Sequence, residues 1–208
     1  CVLFTAYFFI SSHLFLESNQ DTYTSYLAKN NTPIEGVINA QLFDASFYQS
    51  KVFLLGEIHG FADNQKLDKE LLFFLNKKVG VKYYLAEMDS ATAKKLNQFL
   101  KNSNKNKIIL KEVVLEIKKR IPQQSSQELF DKWNAIYDYN QKQNDSLKIT
   151  VIGIDKNIDD DSTIPRDAAM LTNFKVYTKK NKLENEKFYG LFGYYPSLQH
   201  KTENGKET

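Results

Sequence analysis

The sequence predicts an α/β domain: a mainly parallel sheet with crossover helices and a helical insertion between the second and third strands. Three observations carry this. Short runs rich in branched and aromatic residues recur at 51–57, 82–89, 148–155 and 187–194. Segments with helical apolar spacing fill the gaps between them. The resulting order of strand, helix, strand, helices, strand, helix, strand is that of parallel strands joined by crossovers.

The first run, Lys51-Val52-Phe53-Leu54-Leu55, is stopped by Gly56 and reads as a buried strand. Asp63 to Lys78 then places Leu67, Leu71, Phe74 and Leu75 on one helical face, and Gly80 closes the helix. The second strand is Lys82 to Asp89. Ser90 is the expected cap of the next helix, whose face carries Ala93, Leu96, Phe99 and Leu100. After a polar loop at 102–106, the insertion continues with two more helices. The first ends near Ile121-Pro122. The second starts at Ser125, with Glu128 three residues on in a capping-box pattern and Leu129, Trp133, Ile136 and Tyr137 as its apolar face. The third strand is Lys148 to Asp155, Pro165 opens a helix to about Lys179, and Lys187 to Tyr194 is the last strand.

Composition narrows the functional classes. At 208 residues, with 42% hydrophobic and 13% aromatic content, the chain can bury a sizeable core. A net charge of +3, with Lys and Glu interspersed, gives no nucleic-acid footprint. The run Lys118-Lys119-Arg120 reads as a solvated helix end, where cations complement the dipole. The single cysteine, Cys1, excludes an internal disulfide framework and a cysteine-based zinc site. Residues 1–16 carry no charge and give way abruptly to Glu17-Ser18-Asn19-Gln20-Asp21. That length suits a signal-peptide core better than a full membrane span. The expected organisation is an export or anchor segment at 1–20, a single α/β domain at 21–200 and a polar tail at 201–208. An exported or membrane-associated protein is the corresponding expectation.

Three strands end in an acid: Glu57, Glu87 and Asp155. If the strands are parallel, these carboxylates converge on one edge of the sheet, joined by His59. Ligands bind at that edge in open α/β sheets. Acids crowded there must hold a cation, share protons or raise a pKa, and each outcome serves catalysis. Glu57, His59 and Glu87 are therefore the candidate metal ligands as well as candidate catalytic groups. Arg166 sits in the first turn of its helix, where a cation is electrostatically disfavoured unless it pairs with this cluster or holds an anion. Asp167, beside it, suits the helix dipole without further function.

The segments Leu55-Gly56-Glu57-Ile58-His59-Gly60, Glu87, Gly153-Ile154-Asp155 and Arg166-Asp167-Ala168-Ala169-Met170-Leu171-Thr172-Asn173 occur in this order over residues 51–174. Together they resemble the superfamily of erythromycin esterase-like proteins, ChaN-like haem-binding proteins and TIKI/TraB-type proteins. The resemblance implies a hydrolase in which His59 acts as general base on water, Glu57 and Glu87 orient it or share protons, and Arg166 steadies the site. Elsewhere in the superfamily the same edge binds a metal or haem. The cofactor therefore stays open between none, a divalent metal and haem, and the partner between a small-molecule substrate and haem. Tyr83, Tyr84, Tyr194 and Tyr195 are available as haem ligands. Two departures stand out. The single residue between Glu57 and His59 is closer to the ChaN-like pattern, and the family's histidine after the last strand is represented only by the late His200. Asp155, Asp167, Tyr194 and His200 are supporting candidates.

Overall fold

The computed structural model describes residues 21, 22, 24–26, 28, 29, 31 and 38–193. The chain divides into two compact units, Cys1–Glu35 and Gly36–Thr208. In the first, residues 21, 22, 24–26, 28 and 29 are helical. The leader expected at 1–20, the tail at 201–208, and Tyr194, Tyr195 and His200 lie outside the described residues. No helix among the described residues is long and apolar enough to cross a membrane.

The second unit is built on four parallel strands: β1 Val52–Glu57, β2 Tyr83–Ala86, β3 Thr150–Gly153 and β4 Phe188–Gly193, in the order β1-β4-β2-β3. Helices α1 Ala45–Gln49, α2 Ala62–Val79, α3 Ser90–Lys101, α4 Lys107–Arg120, α5 Gln127–Asn140 and α6 Arg166–Lys180 surround it. The α/β class and the three-helix insertion between β2 and β3 are as the sequence predicts. The connections explain the layering. From β1 to β2 and from β2 to β3 the chain steps one way across the sheet, and from β3 to β4 it steps back. Right-handed crossovers then require α2–α5 on one face and α6 on the other.

The two cores follow that division. Leu72, Leu75, Leu96, Phe99, Leu110, Val113, Trp133 and Ile136 pack against Phe53, Tyr84, Val151 and Tyr189 on the first face. Met170 and Leu183, with Phe174 and Tyr177 partly buried, cover Leu85, Ile152, Phe188 and Phe192 on the second. The edge strand β1 extends beyond α6, leaving Val52 and Leu54 of this second face 40% and 43% exposed. Gly153 is required by a close approach. A Cβ there would lie 2.4 Å from the Asp89 carbonyl oxygen and 2.7 Å from that of Met88.

Several local expectations shift. Strand β2 stops at Ala86, leaving Glu87 to Asp89 as an irregular segment, because the Gly193 N–H is taken by the Glu87 side chain at 3.2 Å. Asp89, not Ser90, caps α3, its carboxylate accepting from Thr92 N at 2.8 Å. Ser126, not Ser125, caps α5, so Glu128 falls one position short of a capping box. Pro122–Gln124 is a separate 3-10 turn. Helix α2 is rotated from the expected face. It buries Gln65, Asp68, Leu72, Leu75 and Asn76, whereas Leu67, Leu71 and Phe74 are only half-buried.

That rotation places an ion pair inside the core. Asp68 Oδ2 accepts from Lys132 Nζ at 2.7 Å and from the Tyr84 hydroxyl at 2.8 Å, with Asp68 and Lys132 only 0% and 4% exposed. The ammonium also lies 4.8 Å from the Trp133 ring centre. Removing one partner of such a pair strands the other charge. Lys132→Met alone is expected to cost about 3–5 kcal/mol in urea unfolding, and Asp68→Leu/Lys132→Met to recover most of it. A double variant no more stable than the single would show that uncompensated charge is not the cause.

Candidate functional site

All three predicted carboxylates reach the carboxyl edge of the sheet. Glu57 ends β1, Glu87 follows β2 and Asp155 follows β3, and each is buried. The chain leaves β2 toward α3 on one face and leaves β3 toward α6 on the other. Glu87 and Asp155 thus stand at the strand ends where the chain departs to opposite faces, the position at which open α/β folds bind ligands.

His59 is brought back over Glu57 by the turn that follows β1. Gly60 has φ +96°, which only glycine adopts without strain, and the Asn64 side chain donates to the Ile58 carbonyl at 2.8 Å. His59 Nδ1 then lies 2.9 Å from Glu57 Oε1, with the imidazole 31% and the carboxylate 2% exposed. Glu57 has two further partners: Gln65 Nε2 donates to Oε2 at 3.4 Å, and Gln124 Nε2 donates to Oε1. Gln124 Nε2 also lies 3.3 Å from His59 Nδ1, so the carboxylate, the imidazole and the amide meet at one point, and Nε2 is the ring nitrogen outside these contacts.

Asp155 is held differently. Arg166 Nε donates to Oδ1 at 3.0 Å and Arg166 Nη2 to Oδ2 at 2.5 Å, while Arg120 Nη1 lies 2.7 Å from Oδ2. Burial alone would raise its pKa. The hydrogen bonds and charges of Arg166 and Arg120 outweigh that and hold the Asp155 carboxyl below its ordinary value. Arg120 is a correction to the reading of Lys118-Lys119-Arg120. Lys118 and Lys119 are solvated, but Arg120 turns inward onto Asp155.

Glu87 has the weakest compensation. Arg166 Nη2 is 3.6 Å from Oε1, and the backbone N–H of Gly193 bonds Oε2. Burial dominates and pushes its carboxyl above the ordinary value, although Arg166, the Gly193 N–H and His59 pull the other way. Two carboxyls on one edge are therefore driven apart, one toward the ion and one toward the acid.

Beside Glu57 opens a cleft of about 200 Å³ lined by Phe61, Gln65, Gln123, Gln124, Ser126 and Glu128. Among the described residues, no three His, Cys, Asp or Glu side chains come together as a metal-ligand group. The trio Glu57, His59 and Glu87 is not assembled as one: Glu57 is turned to His59, Gln65 and Gln124, and Glu87 to Arg166 and Gly193. Asp167 is exposed and outside the cluster. Tyr83 packs against Phe188 on the opposite face, and the Tyr84 hydroxyl is committed to Asp68 in the core, so neither serves as the haem ligand considered from sequence. Gln65, Arg120 and Gln124 escaped the sequence reading. Arg120 and Gln124 lie at the end of α4 and in the turn after it, far along the chain from the strand ends they serve.

No protein-family model matches the chain, and no curated protein matches it. Among solved structures, the chain is similar to the type III effector HopBA1 at 15% identity, over 70% of this chain and 67% of that chain, with a TM-score of 0.38. A likeness this slight does not bear on the site.

The two perturbed carboxyls predict opposite pH signatures in stability. A raised folded pKa gives Glu87 a contribution present in acid and lost as pH rises through its folded value. A lowered one gives Asp155 a contribution present above the ordinary value and lost in acid. Glu87→Gln is expected to stabilise the protein at neutral pH, and Asp155→Asn to destabilise it. The Glu87→Gln difference shrinks as the pH falls below about 4, where that carboxyl is protonated both folded and unfolded. The Asp155→Asn difference shrinks only as the pH falls from about 4 through the lowered folded value. Urea midpoints across this range check it, and parallel curves for the wild type and either variant would refute the assignment for that residue.

Proposed function

We propose that this protein is a hydrolase cleaving an ester or amide by attack of water, in line with the resemblance to the erythromycin esterase-like and ChaN-like superfamily. The observation that carries the reading is the 2.9 Å contact between His59 Nδ1 and Glu57 Oε1, which directs the basic Nε2 away from the carboxylate. In this reading Nε2 takes a proton from water as the water oxygen bonds to the acyl carbon. Arg166, whose side chain is 39% exposed, meets the oxyanion that forms. The bond to the leaving oxygen or nitrogen then breaks, and Glu87, kept toward its protonated form by burial, supplies the leaving group's proton. Asp155 and Arg120 hold Arg166 in place without touching the substrate.

The test is hydrolysis of a panel of chromogenic esters and anilides by the wild type and by His59→Ala, with folding of each checked by thermal unfolding. Loss of a general base is expected to lower turnover by about 10²–10⁴-fold with the fold intact. Arg166→Lys, which keeps the charge and loses the fork onto Asp155, is expected to lower turnover as well. Unchanged turnover in His59→Ala ends the catalytic assignment.

A further inference from the structure

Between the sheet and helices α2, α4 and α5 lies a second, smaller cavity of about 30 Å³. Gln65, Glu87, Gln124, Lys132 and Trp133 contribute to its wall. Gln65 and Gln124 line the outer cleft too, so they form the partition between the two spaces. Two polar atoms on residues of this wall have no hydrogen-bond partner among the described residues, Trp133 Nε1 and Gln65 Oε1. Their residues are 1% and 5% exposed. One atom is a donor and the other an acceptor. A buried donor and a buried acceptor each carry a desolvation penalty unless a third group joins them.

A water molecule needs about 10–15 Å³ of such space and two or more polar partners. The cavity has the volume, and the residues of its wall carry the two unpaired atoms. We propose that it holds ordered water, one molecule of which accepts from Trp133 Nε1–H and donates to Gln65 Oε1. The donor sense then runs unbroken toward the site. The indole donates to the water, the water to the Gln65 carbonyl, and Gln65 Nε2 to Glu57 Oε2, leaving Glu57 Oε1 to face His59. Gln65 is thereby a positioning residue for Glu57, because the water on its carbonyl fixes which way its amide points. Trp133 acts one step further back. This assignment does not depend on the protein being a hydrolase.

Trp133 is the single tryptophan of the chain, so its indole N–H gives one unambiguous signal. In the full ¹⁵N-labelled protein, rotating-frame and laboratory-frame cross-peaks between that N–H and water are expected, with the sign of a long-lived bound molecule. In Gln65→Leu the cross-peak is expected to vanish while cooperative thermal unfolding is retained; Gln65→Met serves if the leucine variant fails to fold. A packing role for Gln65 alone would leave the water signal at Trp133 untouched. Absence of the cross-peak in the wild type overturns the site. Its persistence in a folded Gln65 variant overturns the chain from water to Glu57. Neither result touches the hydrolysis assay, so the two readings stand or fall separately.

Discussion

Three carboxylates buried along one sheet edge repel one another and lose their hydration, and the rest of the site is organised by how each is compensated. Asp155 receives two arginines from different elements, Arg120 at the end of α4 and Arg166 at the start of α6. Glu57 receives neutral donors, Gln65 and Gln124, together with the imidazole. Glu87 receives one backbone N–H and a distant arginine. Compensation by full charge preserves an anion, whereas burial with little compensation favours the acid. Unequal treatment of like groups is what gives one edge several chemical characters at once. It depends on how the insertion packs, since Arg120 and Gln124 reach the carboxylates only because the end of α4 and the turn after it lie over the strand ends.

The sheet was the most legible part of the sequence. Its strands are short, apolar and separated by helical periods, and the parallel arrangement follows from the connections. The acids at the strand ends were legible for the same reason, because strand direction alone brings Glu57, Glu87 and Asp155 to one side. Arg166 was legible as an electrostatic anomaly at a helix start. The strand order was not, since nothing local in Lys187 to Gly193 says that this strand enters between β1 and β2.

The partners were harder to read. Periodicity on α2 pointed to Leu67, Leu71 and Phe74, but the helix turns Gln65 and Asp68 inward instead. An apolar count cannot foresee this, because these polar residues are buried only where Glu57, Tyr84 and Lys132 await them. Arg120 sat in a basic run that looked like ordinary helix-end solvation, and its role depends on Asp155, 35 positions away in the chain. Gln124 belongs to a turn whose placement is decided by packing of the whole insertion. Long-range polar pairing is the information that a local pattern lacks.

The position of β4 has a consequence for how the molecule comes into being. Strand β4, the last of the four in chain order, lies between β1 and β2, which share no ladder with each other. Among the described strands, β1 has no neighbour until residues 188–193 are in place, and β2 can pair only with β3. The sheet therefore closes by insertion at its centre rather than by growth at its margin, with strand edges of β1 and β2 unpaired until β4 enters. Such late, non-local closure slows folding and exposes strand edges to other chains. For a chain of this topology, the order in which segments become available and the order in which they lie in the sheet are therefore at odds.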